Sequence, residues 1–136
     1  MRVILVPIGV IVALVAAACT SNFTALGPTP AGEGIVIYLH ADFAGPSQAM
    51  NVDVPDLGKV QGSCSSGAEG ESPTWEDCVS SVKVMPGWSA TLYEKTNYKG
   101  GSVMLTGDAP NLTLLRGPCE KDTFNDCVSS IRVSRQ

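Results

Sequence analysis

The sequence predicts an all-β domain, a sandwich or a barrel, on three observations. Short runs of β-branched and aromatic residues alternate apolar with polar side chains, as Val82-Lys83-Val84 does. Gly, Pro, Asn and Asp separate these runs at short intervals, which is typical of sandwiches and barrels. After the first eighteen residues, no stretch has a helical apolar period long enough to predict a helix.

Six strands are predicted, at residues 35–39, 48–54, 79–85, 90–94, 102–106 and 128–133. The segments between them are predicted as turns at 42–46 and 97–101 and as loops at 59–74 and 107–122. Gly45 occupies a turn position where φ is expected to be positive. One short helical turn is compatible with residues 55–60 or 111–115, and Pro86-Gly87 separates the two halves of the chain.

The two halves repeat the same two signatures. The heptapeptide WEDCVSS begins at Trp75, and its copy FNDCVSS begins at Phe124. A looser pair lies upstream, YLHADFAG from Tyr38 and YEKTNYKG from Tyr93. The spacing between the signatures is about six residues longer in the first half, which indicates an insertion there. The repeat defines the unit of structure.

The length and composition of the chain exclude several classes of function. The chain has 136 residues, enough for one ordinary domain, and a formal net charge of −4. A mildly acidic chain without a basic stripe is not expected to bind nucleic acid. We also expect the protein to be a monomer. We do not expect an enzyme. His40 is the only histidine, and no sequence motif indicates that Ser80, His40 and Asp77 form a catalytic triad. The sequence has neither a nucleophile elbow nor a Gly-rich phosphate loop.

The first 18 residues read as an export signal. Arg2 precedes an apolar run that ends at Ala18 and is too short to span a bilayer. The residues AAAC that end at Cys19 resemble a bacterial lipobox, in which the cysteine becomes lipidated, although ordinary cleavage after small residues is the alternative. Residues 19–33 are rich in Ser, Thr, Gly and Pro and predict a flexible linker. The protein is therefore expected to be exported, and either lipid-anchored at the cell membrane or secreted.

Four further cysteines predict two disulfides. An even number in a small exported domain favours disulfides, and zinc is not expected because no C-x-x-C pair occurs. Three pairings are open. The repeat register makes Cys64 equivalent to Cys119 and Cys78 equivalent to Cys127, which favours the bridges Cys64–Cys78 and Cys119–Cys127.

The two signatures together resemble a βγ-crystallin domain of the microbial, calcium-binding kind. The first signature matches the family pattern in both halves. The second matches fully at Asn125 and departs at Glu76, where the family has Asn or Asp. The resemblance covers residues 34–136. It implies two Greek-key motifs, at 34–86 and 87–136, that form a pair of four-stranded antiparallel sheets packed as a sandwich.

The resemblance also implies up to two Ca²⁺ ions, each held by oxygens from both repeats, as Ca²⁺ prefers. The implied first site comprises Ala41, Cys78, Ser80 and Asn125, and the implied second site comprises Thr96, Cys127, Ser129 and Glu76. Backbone carbonyls, one serine hydroxyl and a side chain that crosses from the other repeat would bind each ion. Asp77 and Asp126 are expected to support the loops, and the carboxylate of Glu76 favours the second site.

Two functions remain open at this stage. One is a calcium-stabilised binding module of an exported, cell-surface lipoprotein. The other is a secreted peptidase inhibitor of the same fold, because some bacterial inhibitors are similar to it. In that case the 61–74 loop, closed by a Cys64–Cys78 bridge, would be presented to the peptidase.

Overall fold

The computed structural model describes residues 26–64 and 73–136. The export signal, Cys19 and most of the inserted loop lie outside these residues. No helix in the described part of the chain is long and apolar enough to cross a membrane.

Seven strands and four short 3₁₀ turns make up the described chain. The strands are β1 (Ile35–His40), β2 (Ala44–Met50), β3 (Gln61–Cys64), β4 (Ser81–Val84), β5 (Trp88–Lys95), β6 (Lys99–Leu105) and β7 (Ser130–Arg135). The 3₁₀ turns are Leu57–Lys59, Thr96–Tyr98, Leu112–Leu114 and Glu120–Asp122. The all-β prediction is confirmed. The helical turns expected near 55–60 and 111–115 are both present as 3₁₀ turns.

Two antiparallel sheets form, each from strands of one half of the chain. Their strand orders are β2-β1-β4 and β6-β5-β7. Each sheet also receives a contact from the other half. Val54 bridges Ile131 of β7, and Ala109 bridges Val82 of β4. In each sheet, an isolated bridge takes the place that a fourth strand would have. The two bridges also link the two Greek keys.

The core lies between the sheets. Ile37, Val82, Leu92 and Ile131 are fully buried, which fits one face of each strand. The aromatic residues that open the two heptapeptides, Trp75 and Phe124, are each 2% exposed. Their burial contributes to stability through the hydrophobic effect.

Three strands differ clearly from the prediction. One of them, β6, begins at Lys99, inside the turn predicted at 97–101. β2 begins at Ala44 and so includes Gly45, whose φ is 78° as expected for its position. Pro46 is tolerated there because β2 is an edge strand, where a missing N–H costs little. β3 lies in a segment predicted as loop; it pairs locally with Thr74 through bridges at Gln61 and Cys64. Neither pairing is visible in the apolar pattern, because β3 carries Gly and Ser.

Candidate functional site

The two heptapeptide loops pack against each other across the middle of the molecule. Asp77 N donates to Val128 O at 3.4 Å, and Asp126 N donates to Val79 O at 3.2 Å. Both aspartates adopt left-handed backbone, with φ of 51° and 52°. The repeat symmetry of the sequence therefore becomes a spatial symmetry that places side chains of one loop beside the other.

The second predicted site is assembled in part. Ser129 Oγ donates to Glu76 Oε1 at 2.6 Å, so the side chain from the first repeat does cross to the serine of the second. The other oxygen, Glu76 Oε2, is buried and has no hydrogen-bond partner in the described part of the chain. A buried carboxylate oxygen without a partner is costly, and a bound cation would compensate for it.

The electrostatics at Glu76 favour a positive ligand. Burial raises the pKa of the Glu76 carboxyl, and the nearby charges of Asp77 and Asp56 raise it further. The hydrogen bond from Ser129 lowers it, as does the nearby backbone N–H of Gly58, which itself donates to Asp56 Oδ1. Burial and the charge of Asp126 also raise the pKa of Asp77. Like charges held close together in this way lower one another's tendency to ionise, and a divalent cation reverses that effect.

The first predicted site differs from its expected arrangement. Ser80 Oγ donates to Asp126 Oδ1 at 3.2 Å, and Asn125 Nδ2 donates to Asp126 Oδ2 at 2.6 Å. Asp126, expected only to support its loop, thus occupies the place beside Ser80 that was assigned to Asn125. Asp77 and Asp126 share the same left-handed backbone, so the difference goes with the side chains: Glu76, which is one methylene longer than Asn125, reaches the serine of the other repeat.

The predicted carbonyl ligands are positioned by the hairpin tips. Asp42 N donates to Pro110 O at 2.7 Å, and Asn97 N donates to Pro55 O at 2.8 Å. These bonds hold the tips that contain Ala41 and Thr96 against the opposite half; Ala41 O itself accepts from Ala44 N at 3.3 Å.

The carbonyls of Cys78 and Cys127 accept no hydrogen bond from the described residues, so their lone pairs are available to a cation. Across residues 26–64 and 73–136, no three or more His, Cys, Asp or Glu side chains are grouped to hold a metal ion. Any ion held here would therefore depend on carbonyl and hydroxyl oxygens as well as carboxylates, a set that suits Ca²⁺.

The second serine of each heptapeptide has a function that the sequence reasoning missed. Ser81 Oγ donates to His40 O at 2.6 Å and accepts from Phe43 N at 3.1 Å. Ser130 Oγ makes the same pair of bonds, to Lys95 O at 2.6 Å and from Tyr98 N at 3.0 Å. Each buried hydroxyl therefore closes the tip of a hairpin. The signal was present, since the serine occurs at the same place in both repeats.

One of the two predicted disulfides is confirmed. Cys119 and Cys127 are bonded, with their Cα atoms 6.1 Å apart. The predicted Cys64–Cys78 bridge is wrong for this structure, in which both residues are free thiols. Cys64 pairs with Thr74 through its backbone, Cys78 Sγ lies 3.9 Å from Thr74 O, and the two thiols lie beside each other without being bonded.

The two thiols nevertheless share one cavity. Cys64 and Cys78 line a space of about 500 Å³ together with His40, Ser80 and Asp126. Burial raises the pKa of the Cys78 thiol well above its usual value, and the adjacent Cys64 raises it further. Cys78 is therefore expected to be a poor nucleophile at neutral pH.

Comparisons with known proteins agree on the fold. The model of the family "Peptidase inhibitor family I36" matches residues 37–106. No curated protein matches the sequence at a significant level. A solved structure from work on the evolution of the eye-lens βγ-crystallin domain fold is 25% identical, with a TM-score of 0.58, and the match covers 82% of this chain and 95% of that one.

Two further solved structures show the fold alone. A βγ-crystallin domain from Flavobacterium johnsoniae is 24% identical, with a TM-score of 0.54, and covers 75% of this chain and 94% of its own. A double mutant of clostrillin in complex with nickel is 20% identical, with a TM-score of 0.53, and covers 74% of this chain and 97% of its own. The expected βγ-crystallin sandwich of two Greek-key motifs is thereby confirmed.

Proposed function

The chain belongs to peptidase inhibitor family I36, and from that premise we propose that it is an exported protein that inhibits a peptidase. The main support for this proposal is the family match. It covers residues 37–106, from within β1 to the end of β6. A small, rigid all-β domain suits an inhibitor, since a preorganised surface loses little conformational entropy when it binds. This function was the alternative in the sequence analysis.

Export and anchoring form part of the same proposal. The apolar run that starts after Arg2 would direct export, and Cys19 would carry the lipid. The inhibitor would then act as a monomer at the cell surface, where it meets exported peptidases. Detergent partitioning of the protein from a bacterial host tests the anchor: Cys19→Ala should move it to the aqueous phase, and unchanged partitioning would exclude lipidation.

The inhibition proposal is tested directly with purified protein. Residual activity is measured for a panel of metallopeptidases and serine peptidases over a concentration series of the chain. We expect saturable inhibition of at least one member. Full activity of every peptidase at a large molar excess would contradict the proposal.

Calcium binding is a second candidate function, favoured by one observation. Glu76 crosses to Ser129 and leaves its Oε2 buried without a partner in the described part of the chain. These two side chains and the carbonyl of Cys127 would hold an ion there, and Ser80, Asp126 and the carbonyl of Cys78 would hold another. When bound, Ca²⁺ would neutralise the acidic groups and crosslink the two repeats.

A calorimetric calcium titration tests this second function. Few formal charges converge on either ion, so we expect a dissociation constant on the order of 10⁻⁵ to 10⁻³ M, a range that includes that of extracellular calcium modules. A matched titration with Mg²⁺, which needs stricter octahedral geometry, should give weaker binding. No heat and no shift in melting temperature with millimolar calcium would exclude the site.

A further inference from the structure

Each repeat contributes one strand to the edge of its sheet, and the two edge strands can be compared position by position. In the strand orders β2-β1-β4 and β6-β5-β7, β2 and β6 each pair with one neighbouring strand. The register is the same in both pairs, because Ala49 of β2 lies opposite Val36 and Met104 of β6 lies opposite Thr91. Ala49 and Met104 are therefore equivalent positions.

The edge strand of the first repeat, β2, has features that protect an exposed edge. Pro46 has no N–H to offer to a further strand, and the side chains of Gln48 and Ala49 are polar and small. Proteins use proline and polar side chains on edge strands to prevent pairing with other chains. β2 is therefore a poor surface for strand addition.

The edge strand of the second repeat, β6, lacks this protection. Residues 100–105 contain neither a proline nor a charged side chain, and Met104, which replaces Ala49 of β2, is 66% exposed. Within the described chain, the backbone of β6 pairs with β5 alone, and no other backbone–backbone hydrogen bond reaches it. An apolar strand with one free edge is a template on which another strand can pair.

The sheet that contains β6 is basic. Its three strands carry four basic residues and one acidic residue, Glu94, whose Oε2 accepts a hydrogen bond from a backbone N–H of β6. Lys95 and Lys99 lie opposite each other at the end of the β5–β6 hairpin, and Arg132 lies in the same cross-strand row as Met104. These three cations are exposed, and none forms an ion pair with a carboxylate of the described residues. An acidic partner surface would complement this edge.

We propose that β6 is the strand through which the protein binds its target peptidase, by pairing with an edge strand of the peptidase cleft that has acidic side chains beside it. The inference rests on the proposed inhibitory function and gives that function a surface. A peptidase cleft holds its substrate as an extended chain, so it suits the extended backbone that β6 offers. The family match, residues 37–106, includes the whole of β6. Because β6 is already paired with β5, it can line the cleft but cannot lie across the cleaved position as a free substrate chain does.

The first test compares matched substitutions on the two edge strands. Inhibition constants of the full chain are measured for each peptidase of the panel that the parent inhibits. Met104→Lys puts a charge on the β6 edge and should raise the inhibition constant about tenfold or more. Ala49→Lys, at the equivalent position of β2, is the control and should leave the inhibition constant unchanged. Met104→Ala, which reproduces the side chain of β2, is a second variant in case Met104→Lys folds poorly, and it should also weaken inhibition.

The second test measures the backbone and the charges directly. When the peptidase binds, hydrogen exchange at the β6 amides should slow, whereas exchange at the β2 amides should not change. Raising the ionic strength should raise the inhibition constant, because salt screens attraction between exposed charges.

Each other outcome overturns a part of the proposal. If the Met104 variants inhibit as well as Ala49→Lys does, or if exchange at β6 does not slow, the β6 assignment is wrong and the inhibitory function stands. If light scattering shows a dimer of the parent that Met104→Lys dissociates, β6 binds a second copy of the chain and not the peptidase. If ionic strength has no effect, the acidic partner surface is wrong. If no peptidase of the panel is inhibited, the proposed function fails, and the binding of a peptidase by β6 fails with it.

Discussion

Ser129 Oγ donates a 2.6 Å hydrogen bond to Glu76 Oε1, which lies 53 positions earlier in the chain. The contact joins the two repeats. The second carboxylate oxygen of Glu76 is buried without a partner among the described residues. In the counterpart on the first repeat, both oxygens of Asp126 accept hydrogen bonds, from Ser80 and Asn125. The two sites are therefore unequal.

Stabilisation of the protein by calcium should depend more on Ser129 than on Ser80. An ion at Glu76 gains an unpartnered oxygen, whereas an ion at Asp126 has to compete with existing hydrogen bonds. For the parent, a hundredfold excess of calcium over its dissociation constant should raise the free energy of unfolding by about 2.7 kcal/mol. Melting curves with and without calcium should show a larger loss of this gain in Ser129→Ala than in Ser80→Ala. Equal losses would contradict the inequality of the sites.

The pKa of Glu76 predicts a pH effect on the calcium-free protein. Burial raises this pKa above its ordinary value of 4.5, so the folded state binds the proton more tightly than the unfolded state. The resulting stabilisation is complete below pH 4.5 and is lost as the pH rises through the folded-state pKa. As the pH falls from neutral towards 4.5, the melting temperature of the parent should rise relative to that of Glu76→Gln. Parallel curves for the two proteins would show that Glu76 is not perturbed.

The free thiols should differ in reactivity. Cys64 is half-buried, whereas Cys78 is 4% exposed and its thiol pKa is raised by burial. Because the thiolate is the nucleophile, iodoacetamide should label Cys64 first and Cys78 only after denaturation. Peptide mapping by mass spectrometry measures both, and Cys119 serves as the disulfide-bonded control. Recovery of a peptide with Cys64 joined to Cys78 would restore the bridge expected from the repeat register.

The hydroxyl of Ser81 should be a large contributor to stability. Ser81→Ala removes two hydrogen bonds and leaves His40 O and Phe43 N without their partner. We expect the free energy of unfolding to fall by about 1–3 kcal/mol, measured by urea titration. Ser89→Ala is the control, because the Ser89 hydroxyl makes one exposed contact of 3.4 Å. A loss no larger than that of the control would contradict the clamp.

Strain at Lys121 should be relieved by glycine. Lys121→Gly fits φ of 60° without a Cβ clash, so the free energy of unfolding should rise by about 1 kcal/mol. Lys59→Gly should have the opposite sign, since Lys59 lies in a 3₁₀ turn and is not among the positive-φ residues. Urea titration of both variants checks this, and a destabilised Lys121→Gly would mean that the backbone at Lys121 is not strained.

The repeat and its alternating strands were enough to predict the all-β class, the positive φ at Gly45 and the Cys119–Cys127 bond. These features depend on local periodicity, on turn chemistry and on short sequence separations, all of which are written in the chain itself. The same register predicted a Cys64–Cys78 bond that the structure lacks.

Only the tertiary structure decided which side chains meet across the repeats. The repeat makes Asn125 equivalent to Glu76, yet Asp126 rather than Asn125 lies beside Ser80, and the Asn125 side chain is one methylene shorter than that of Glu76. The burial of Glu76 Oε2 likewise depends on neighbours distant in sequence. Spacing along a chain specifies which residues are equivalent, whereas distance, burial and charge follow from packing.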